Sequence, residues 1–382
     1  MSGSIAQAAP APAASEQAHA IIDCDVHHIM GTLDTLTPYL SKAWCERLGL
    51  GDGGVSAALI PYRLPWVAYM NPHGGMMHDA LPPGGGYAGS DPQFAARQLF
   101  DGFGVTYGVL MGAENLMVGG VPSPDIAAEL MRAYNDWTID TWLSADERFM
   151  GSIAVAPQDP VKAAAEIRRL GDHPRMVQVG MPTGDRRLGH RYYDPIYDAA
   201  QEFNLPIAWH PGSESAGVNP HMTALSPSSS YLENSASLIQ VTQAQLTSVL
   251  CEGTFEKFPR LKLVLIEGGV TWLPAVLWRL HRGWMSMRDE LPWMKRSPEE
   301  YVKDHVRLAT QPLDEPAGAP EKLVSLLESV GGEDLLMFSS DYPHWDFDNP
   351  HAAFRGFSKE WKRKIMDVNP RAFYDRLPKA EG

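Results

Sequence analysis

The chain has 382 residues, with 32 Lys and Arg against 46 Asp and Glu, a formal net charge of −14. That acidic balance argues against nucleic acid or an anionic membrane surface as the main partner, because both demand basic patches. At 44% hydrophobic the chain can bury a sizeable core, yet no apolar run approaches the roughly 18 residues of a membrane span.

Residues 1–19 are rich in Ala, Pro and Ser and lack a basic start followed by an apolar stretch, so they are expected to form a disordered tail and not a secretion signal. Residues 20–382 are expected to form one domain. In it, short apolar runs alternate with segments of 3.6-residue periodicity. The runs are Ile21–Val26, Val105–Met111, Met150–Ala156, Met176–Met181, Pro206–His210, Leu261–Glu267, Val306–Thr310 and Leu335–Ser339. Helical patterns cover Ile126–Leu143, Pro160–Leu170, Asp194–Phe203, Leu238–Leu250, Trp272–Met285 and Pro320–Val330. Short, continuously apolar strands followed by helix-length crossovers are the pattern of buried parallel strands. Eight such units predict a (β/α)8 barrel, with the fourth and seventh runs giving the weakest strand signals. An open doubly wound sheet is the alternative. Residues 51–90, crowded with Gly and Pro, form a long insertion after the first strand and are expected to act as a lid over the barrel mouth.

Barrel enzymes carry their chemistry at the C-terminal ends of the strands. The first run ends in Asp23-Cys24-Asp25-Val26-His27-His28, and period-2 alternation puts Asp23, Asp25 and His27 on one face. The fifth ends in Trp209-His210, the sixth in Ile266-Glu267-Gly268-Gly269, and the eighth is followed by Asp341-Tyr342-Pro343-His344. Taken singly, each has an ordinary structural explanation: a buried histidine, a turn aspartate, a loop anion. Together they deliver carboxylates and imidazoles from four strands to one rim, and several such groups in a barrel mouth imply a cation among them. Three scattered cysteines (Cys24, Cys45, Cys251) supply neither a disulfide framework nor a cysteine metal cage, and fit a reducing cytoplasm. Phosphate-loop, dinucleotide and serine-nucleophile motifs are missing from the sequence.

The segments Ile22–His28, Trp209–Gly212, Leu261–Pro274 and Phe338–His344 resemble the amidohydrolase superfamily, in the branch related to aminocarboxymuconate semialdehyde decarboxylase. The likeness runs from about Ile21 to about Tyr374. It implies a divalent metal (Zn, Mn or Fe) held by Asp25, His27, His210 and Asp341, with Asp25 standing where that family has the first histidine of a His-x-His pair. The catalytic histidine that the family places after strand six is Glu267 here. No lysine lies in Arg175–Pro182, so a carbamylated-lysine bridge between two metals is not expected. On this reading Glu267 is the general acid or base, with His344 and Asp341 as its companions, and the reaction is hydrolysis or non-oxidative decarboxylation of a small carboxylate or amide.

Some members of that family resemble dinuclear iron or manganese oxygenases, and a second ion here would draw on Asp23, Glu267 and His344. Arg63, His73 and Trp209 are candidate substrate contacts, Arg63 by bidentate pairing with a carboxylate. Another alternative is a structural metal-binding subunit of a hetero-oligomer. The helix around Trp272–Trp284, apolar on more than one face, points to a homo-oligomer or to pairing with a related chain.

Overall fold

All eight apolar runs form strands, and they pair in parallel in chain order: β1 (Ile22–His28), β2 (Tyr107–Gly112), β3 (Phe149–Ala154), β4 (Met176–Pro182), β5 (Ile207–His210), β6 (Leu263–Leu265), β7 (Val306–Ala309) and β8 (Leu336–Met337). The structure is a computed structural model and describes residues 19–50, 75–213 and 231–379. The sheet is not open. Cys24 N–H donates to the Phe338 carbonyl at 2.9 Å, His27 N–H to Tyr342 at 2.7 Å and Asp341 N–H to Asp25 at 3.2 Å, which sews the end of β8 back to β1. The (β/α)8 barrel is therefore the fold, and the doubly wound alternative is set aside.

Strand length departs from the sequence signal. β4, weak in sequence, spans seven residues, whereas β8 spans two and β6 three. Beyond β8 the ladder is carried by side chains. Ser339 Oγ accepts from Gln311 N–H at 2.9 Å, and Ser339 N–H donates to Thr310 Oγ1 at 3.2 Å. Hydroxyl residues just past an apolar run thus extend the β7–β8 seam where regular pairing stops.

Helices cover the barrel, and their ends follow from capping chemistry. Pro124–Trp137 starts behind Ser123, whose Oγ accepts from Ile126 N–H, and a wider helical turn carries it on to Leu143. Pro160–Leu170 is capped by Asp159, and Pro298–His305 by a reciprocal Ser297–Glu300 box. The helix Tyr231–Cys251 begins well before the expected Leu238.

The core has two layers. Inside the barrel lie Val109, Met111, Met150, Ala208, Val264, Ile266, Ala309 and Met337, and Phe373, Tyr374 and Leu377 close the end where the strands begin. Outside, between strands and helices, pack Tyr134, Trp142, Trp209, Leu265, Leu277 and Phe338. Each fully buried large side chain contributes about 1.5–3 kcal/mol. Of the long insertion, residues 75–90 are described. Met77 N–H donates to the Pro343 carbonyl and Trp345 N–H to Gly75, both at 2.8 Å, which sets this stretch against the loop after β8.

Candidate metal centre

Four strand ends aim side chains into the open end of the barrel. Asp25 and His27 come from β1, His210 from β5, Glu267 from the turn after β6, and Asp341 and His344 from the loop after β8. Asp25, His27, His210 and Asp341 are at most 1% exposed. Two overlapping groups have ligand atoms within 4.8 Å of one another, Asp25–His27–His210 and His27–Asp341–His344, with His27 common to both.

The imidazoles are oriented by backbone carbonyls. His27 Nδ1 faces the Met111 carbonyl at 3.0 Å and His210 Nδ1 faces that of Pro211 at 2.5 Å. A carbonyl only accepts, so both rings carry a proton on Nδ1 and turn Nε2 inward, open to a cation or a second proton. The inward neighbours are themselves acceptors. His27 Nε2 lies 2.9 Å from Asp341 Oδ1 and 3.6 Å from Asp25 Oδ2, while His210 Nε2 lies 3.0 Å from Glu267 Oε2 and 3.5 Å from Asp25 Oδ2. Both Nε2 atoms and both Asp25 oxygens are buried without a hydrogen-bond partner. Lone pairs facing carboxylates in a dry site repel unless positive charge sits between them.

Protonation shifts report the same demand. Burial alone would discharge His210, but Glu267 and Asp25 reverse that and hold its pKa well above the ordinary value. His344, likewise opposed by burial, is pushed up to about 9 by Asp341, whose Oδ1 lies 2.5 Å from its Nδ1. Asp341 is held well below the usual carboxylate range against its own burial, by His344 and His27. The residues present fit a divalent cation, with two imidazole nitrogens and two buried carboxylates as its ligands.

Backbone shape contributes. Asp341 and Glu267 adopt φ of 61° and 50°, in the left-handed region that side chains other than glycine rarely occupy. Such conformations persist where surrounding structure over-determines them, and they gather at functional sites.

Two candidates change place. Asp23 does not share a face with Asp25 and His27, because β1 bulges between Asp23 and Val26. Asp23 pairs with Gly108, whose side-chain direction runs toward Phe100 in the outer layer, while His27 pairs with the interior Met111. Asp23 belongs to neither ligand group. It is wholly buried, its Oδ1 accepts from Ser340 N–H at 2.9 Å and Asp25 N–H at 3.2 Å, and burial pushes its pKa up to about 7. Trp209 is not a pocket wall either. Its neighbours Ala208 and His210 face the interior, so the indole points the other way, wholly buried in the outer layer. Arg63 and His73 lie outside the described residues.

Some partners had no sequence signal. The Met111 carbonyl that orients His27 is backbone, which any residue type would supply. His28, open to reading as a solvated neighbour, is buried, with Nε2 2.9 Å from Thr138 Oγ1 and its ring stacked on Trp137.

A closed parallel barrel whose open end gathers imidazoles and carboxylates around a place for a divalent cation defines the class: a metal-dependent barrel enzyme. The chain belongs to the amidohydrolase family, whose model matches residues 22–376. Among its relatives are gamma-resorcylate decarboxylases from a Polaromonas species, 28% identical over 59% of this chain and 69% of that one, and from a Rhizobium species, 24% identical over 70% and 82%. Similar solved structures include a 5-carboxyvanillate decarboxylase from Novosphingobium aromaticivorans with manganese and a nitrobenzoic acid, at TM-score 0.67, 20% identity and coverage of 94% and 97%. Another is 2,6-dihydroxybenzoate decarboxylase from Rhizobium, at TM-score 0.64, 19% identity and coverage of 94% and 99%. No helix among the described residues is long and apolar enough to cross a membrane.

Proposed function

We propose that this protein catalyses metal-dependent, non-oxidative decarboxylation of a small carboxylic acid, with a hydroxylated aromatic acid as the first class to test. The observation that carries this reading is the set of buried, unpartnered Nε2 and carboxylate atoms of His27, His210 and Asp25 beside Asp341 at the barrel mouth. Decarboxylation is favoured over hydrolysis by the curated relatives, which are decarboxylases over 69–87% of their lengths.

Asp25, His27, His210 and Asp341 would hold the ion, which when bound supplies Lewis-acid polarisation of substrate oxygens. This chain's residues do the rest. The C–C bond to the carboxyl group breaks, its electron pair stays on the ring carbon, carbon dioxide leaves, and a proton must reach that carbon. Glu267, a quarter exposed and 3.0 Å from His210, stands at the open side of the cluster and is assigned that proton transfer. His344 holds Asp341 in orientation through their 2.5 Å contact. The described part of the insertion, residues 75–90, helps keep water from the site, a role supported by the docking of residues 75–77 beside Pro343 and Trp345.

The test is carbon dioxide release from a panel of hydroxybenzoates by chelator-treated protein reloaded with Mn, Zn or Fe. Metal-dependent release without oxygen uptake is expected. Amide or ester cleavage with no carbon dioxide would overturn the reaction type.

A second reading rests on the two ligand groups that share His27. With two ions, Glu267 is a ligand and not the acid. Glu267→Gln decides: for one ion, turnover falls by about two to four orders of magnitude at unchanged metal content. For two, metal content drops from two toward one per chain. Association with a second chain is supported by the exposed Trp278, Met285 and Met287 along and just after one helix, and sedimentation of the purified protein tests it. The three free thiols support a reducing cytoplasm as the place of work, which fractionation of the producing cells tests.

A further inference from the structure

Asp23 is a fully buried carboxylate that, among the described residues, belongs to no metal group and has no ion-pair partner. Burying a charge-bearing side chain without a cation is costly, so its contacts should explain its place. They lead to both carboxylate ligands. Asp23 Oδ1 accepts from the amide of Asp25 at 3.2 Å and from the amide of Ser340, the residue before Asp341, at 2.9 Å. The Ser340 side chain lies close enough to lower the Asp23 pKa, while Asp23 Oδ2 is buried without a hydrogen-bond partner. The Ser340 hydroxyl accepts from Tyr342 N–H at 3.1 Å, the residue after Asp341. The peptide before Asp341 is thus held one residue upstream by Asp23, and the amide after it by the hydroxyl of that same Ser340. Asp341 N–H itself donates to the Asp25 carbonyl at 3.2 Å.

These bonds fall where the local backbone needs support. β8 has ended at Met337, so no regular ladder fixes residues 339–342. Asp341 sits at φ 61°, a conformation that costs an aspartate of order 1 kcal/mol and relaxes unless its flanks are held. Asp25 sits in the β1 bulge, where strand pairing is interrupted as well. Two ligands on irregular backbone, from opposite ends of the chain, therefore meet across a seam that one side chain bridges.

We infer that Asp23 is a positioning residue that acts as a hydrogen-bond acceptor, fixing Asp25 in its bulge and Asp341 in its left-handed conformation so that both carboxylates meet one cation. The inference rests on the reading of Asp25 and Asp341 as metal ligands. Its mechanism needs acceptor oxygens at Asp23 and not the negative charge. An asparagine, which keeps Oδ1, substitutes for it, and an alanine does not.

The experiment titrates chelator-treated full-length protein with manganese(II) alone, following free ion by electron paramagnetic resonance, with thermal unfolding recorded for each variant. Asp23→Ala is expected to weaken manganese binding by about 10–100-fold, the usual effect of removing a partner that orients a ligand. Asp23→Asn should stay within about threefold of wild type, and Ser340→Ala, which removes the hydroxyl and leaves the amide, should fall between them. Wild-type affinity in Asp23→Ala, or an Asp23→Asn as weak as Asp23→Ala, overturns the inference. Should Asp23→Ala not fold, Asp23→Val, which fills the space and accepts no hydrogen bond, takes its place, and unchanged manganese affinity there overturns it. His210→Ala run alongside separates the two levels. If that variant also binds manganese like wild type, the ligand reading itself fails. If it loses manganese while Asp23→Ala keeps it, only the positioning role fails.

Discussion

The two ends of this barrel are built on opposite principles. Where the strands begin, Phe373, Tyr374 and Leu377 plug the interior, and most polar groups around them find partners. Tyr374 donates to Gln178 at 2.8 Å and Lys262 Nζ to the Phe373 carbonyl at 2.8 Å, while the Arg376 guanidinium donates to the Met176 carbonyl at 2.8 Å; Arg307, stacked on the Phe373 ring, keeps one buried nitrogen unpartnered. Where the strands end, buried nitrogens and carboxylate oxygens face each other unpartnered, two of the contributing residues are in left-handed backbone, and protonation is shifted in several groups. The closed end supplies stability. The open end holds groups that are unfavourable together until a cation joins them, which makes it the end suited to an ion.

If that division holds, the ends fail separately. The largest effect is expected from His210→Ala. Turnover should fall to background and manganese affinity by more than about a hundredfold, with far-UV circular dichroism unchanged, because the ring takes no part in the plug or the outer core. Phe373→Ala should do the reverse. Emptying the plug costs about 3–5 kcal/mol, visible as a lower unfolding midpoint in denaturant, while manganese affinity of the folded protein stays within about threefold. A plug variant that loses the metal as well would show that the two ends are coupled.

Chelation sharpens the contrast from the other side. A cation present at about a hundred times its dissociation constant stabilises the protein by about 2.7 kcal/mol. Removing it with EDTA should lower the unfolding temperature by the same free energy in wild type and in Phe373→Ala, and by nothing in His210→Ala. Differential scanning calorimetry with and without chelator reads all three.

The smallest effect concerns Asp348, beyond the ligands on the loop after β8. Burial, opposed by a backbone hydrogen bond from Leu313 and aided by Asp346 and Asp341, pushes its pKa up to about 7 from an ordinary 3.8. A carboxyl whose folded pKa is raised favours the folded state least when ionised. Its cost therefore grows as pH rises from about 4 to about 7 and is constant above that. Asp348→Asn should match wild type near pH 4 and exceed it by about 1–2 kcal/mol at pH 8, a figure reduced for partial solvent contact. A pH series of unfolding midpoints checks the sign.

The sequence by itself determined the architecture, because a barrel strand buried on both faces must be apolar throughout, and all eight such runs stood out between helical patterns. It also determined which residue types arrive at the rim: Asp25, His27, His210, Glu267, Asp341 and His344 each stand at the end of an apolar run or a few residues beyond it. Tertiary structure decided what each one does there. Alternation alone put Asp23 beside Asp25, and a bulge in β1, a property of pairing with β2 that no residue type announces, turned it to the other face. Trp209 is equally plausible on either side of a strand until the neighbouring His210 is known to face inward. The proton positions of His27 and His210 follow from carbonyls of Met111 and Pro211, groups that every sequence contains and only folding brings within reach. Side-chain identity is local, and the facing of a ligand depends on the register and irregularity of the strand that carries it.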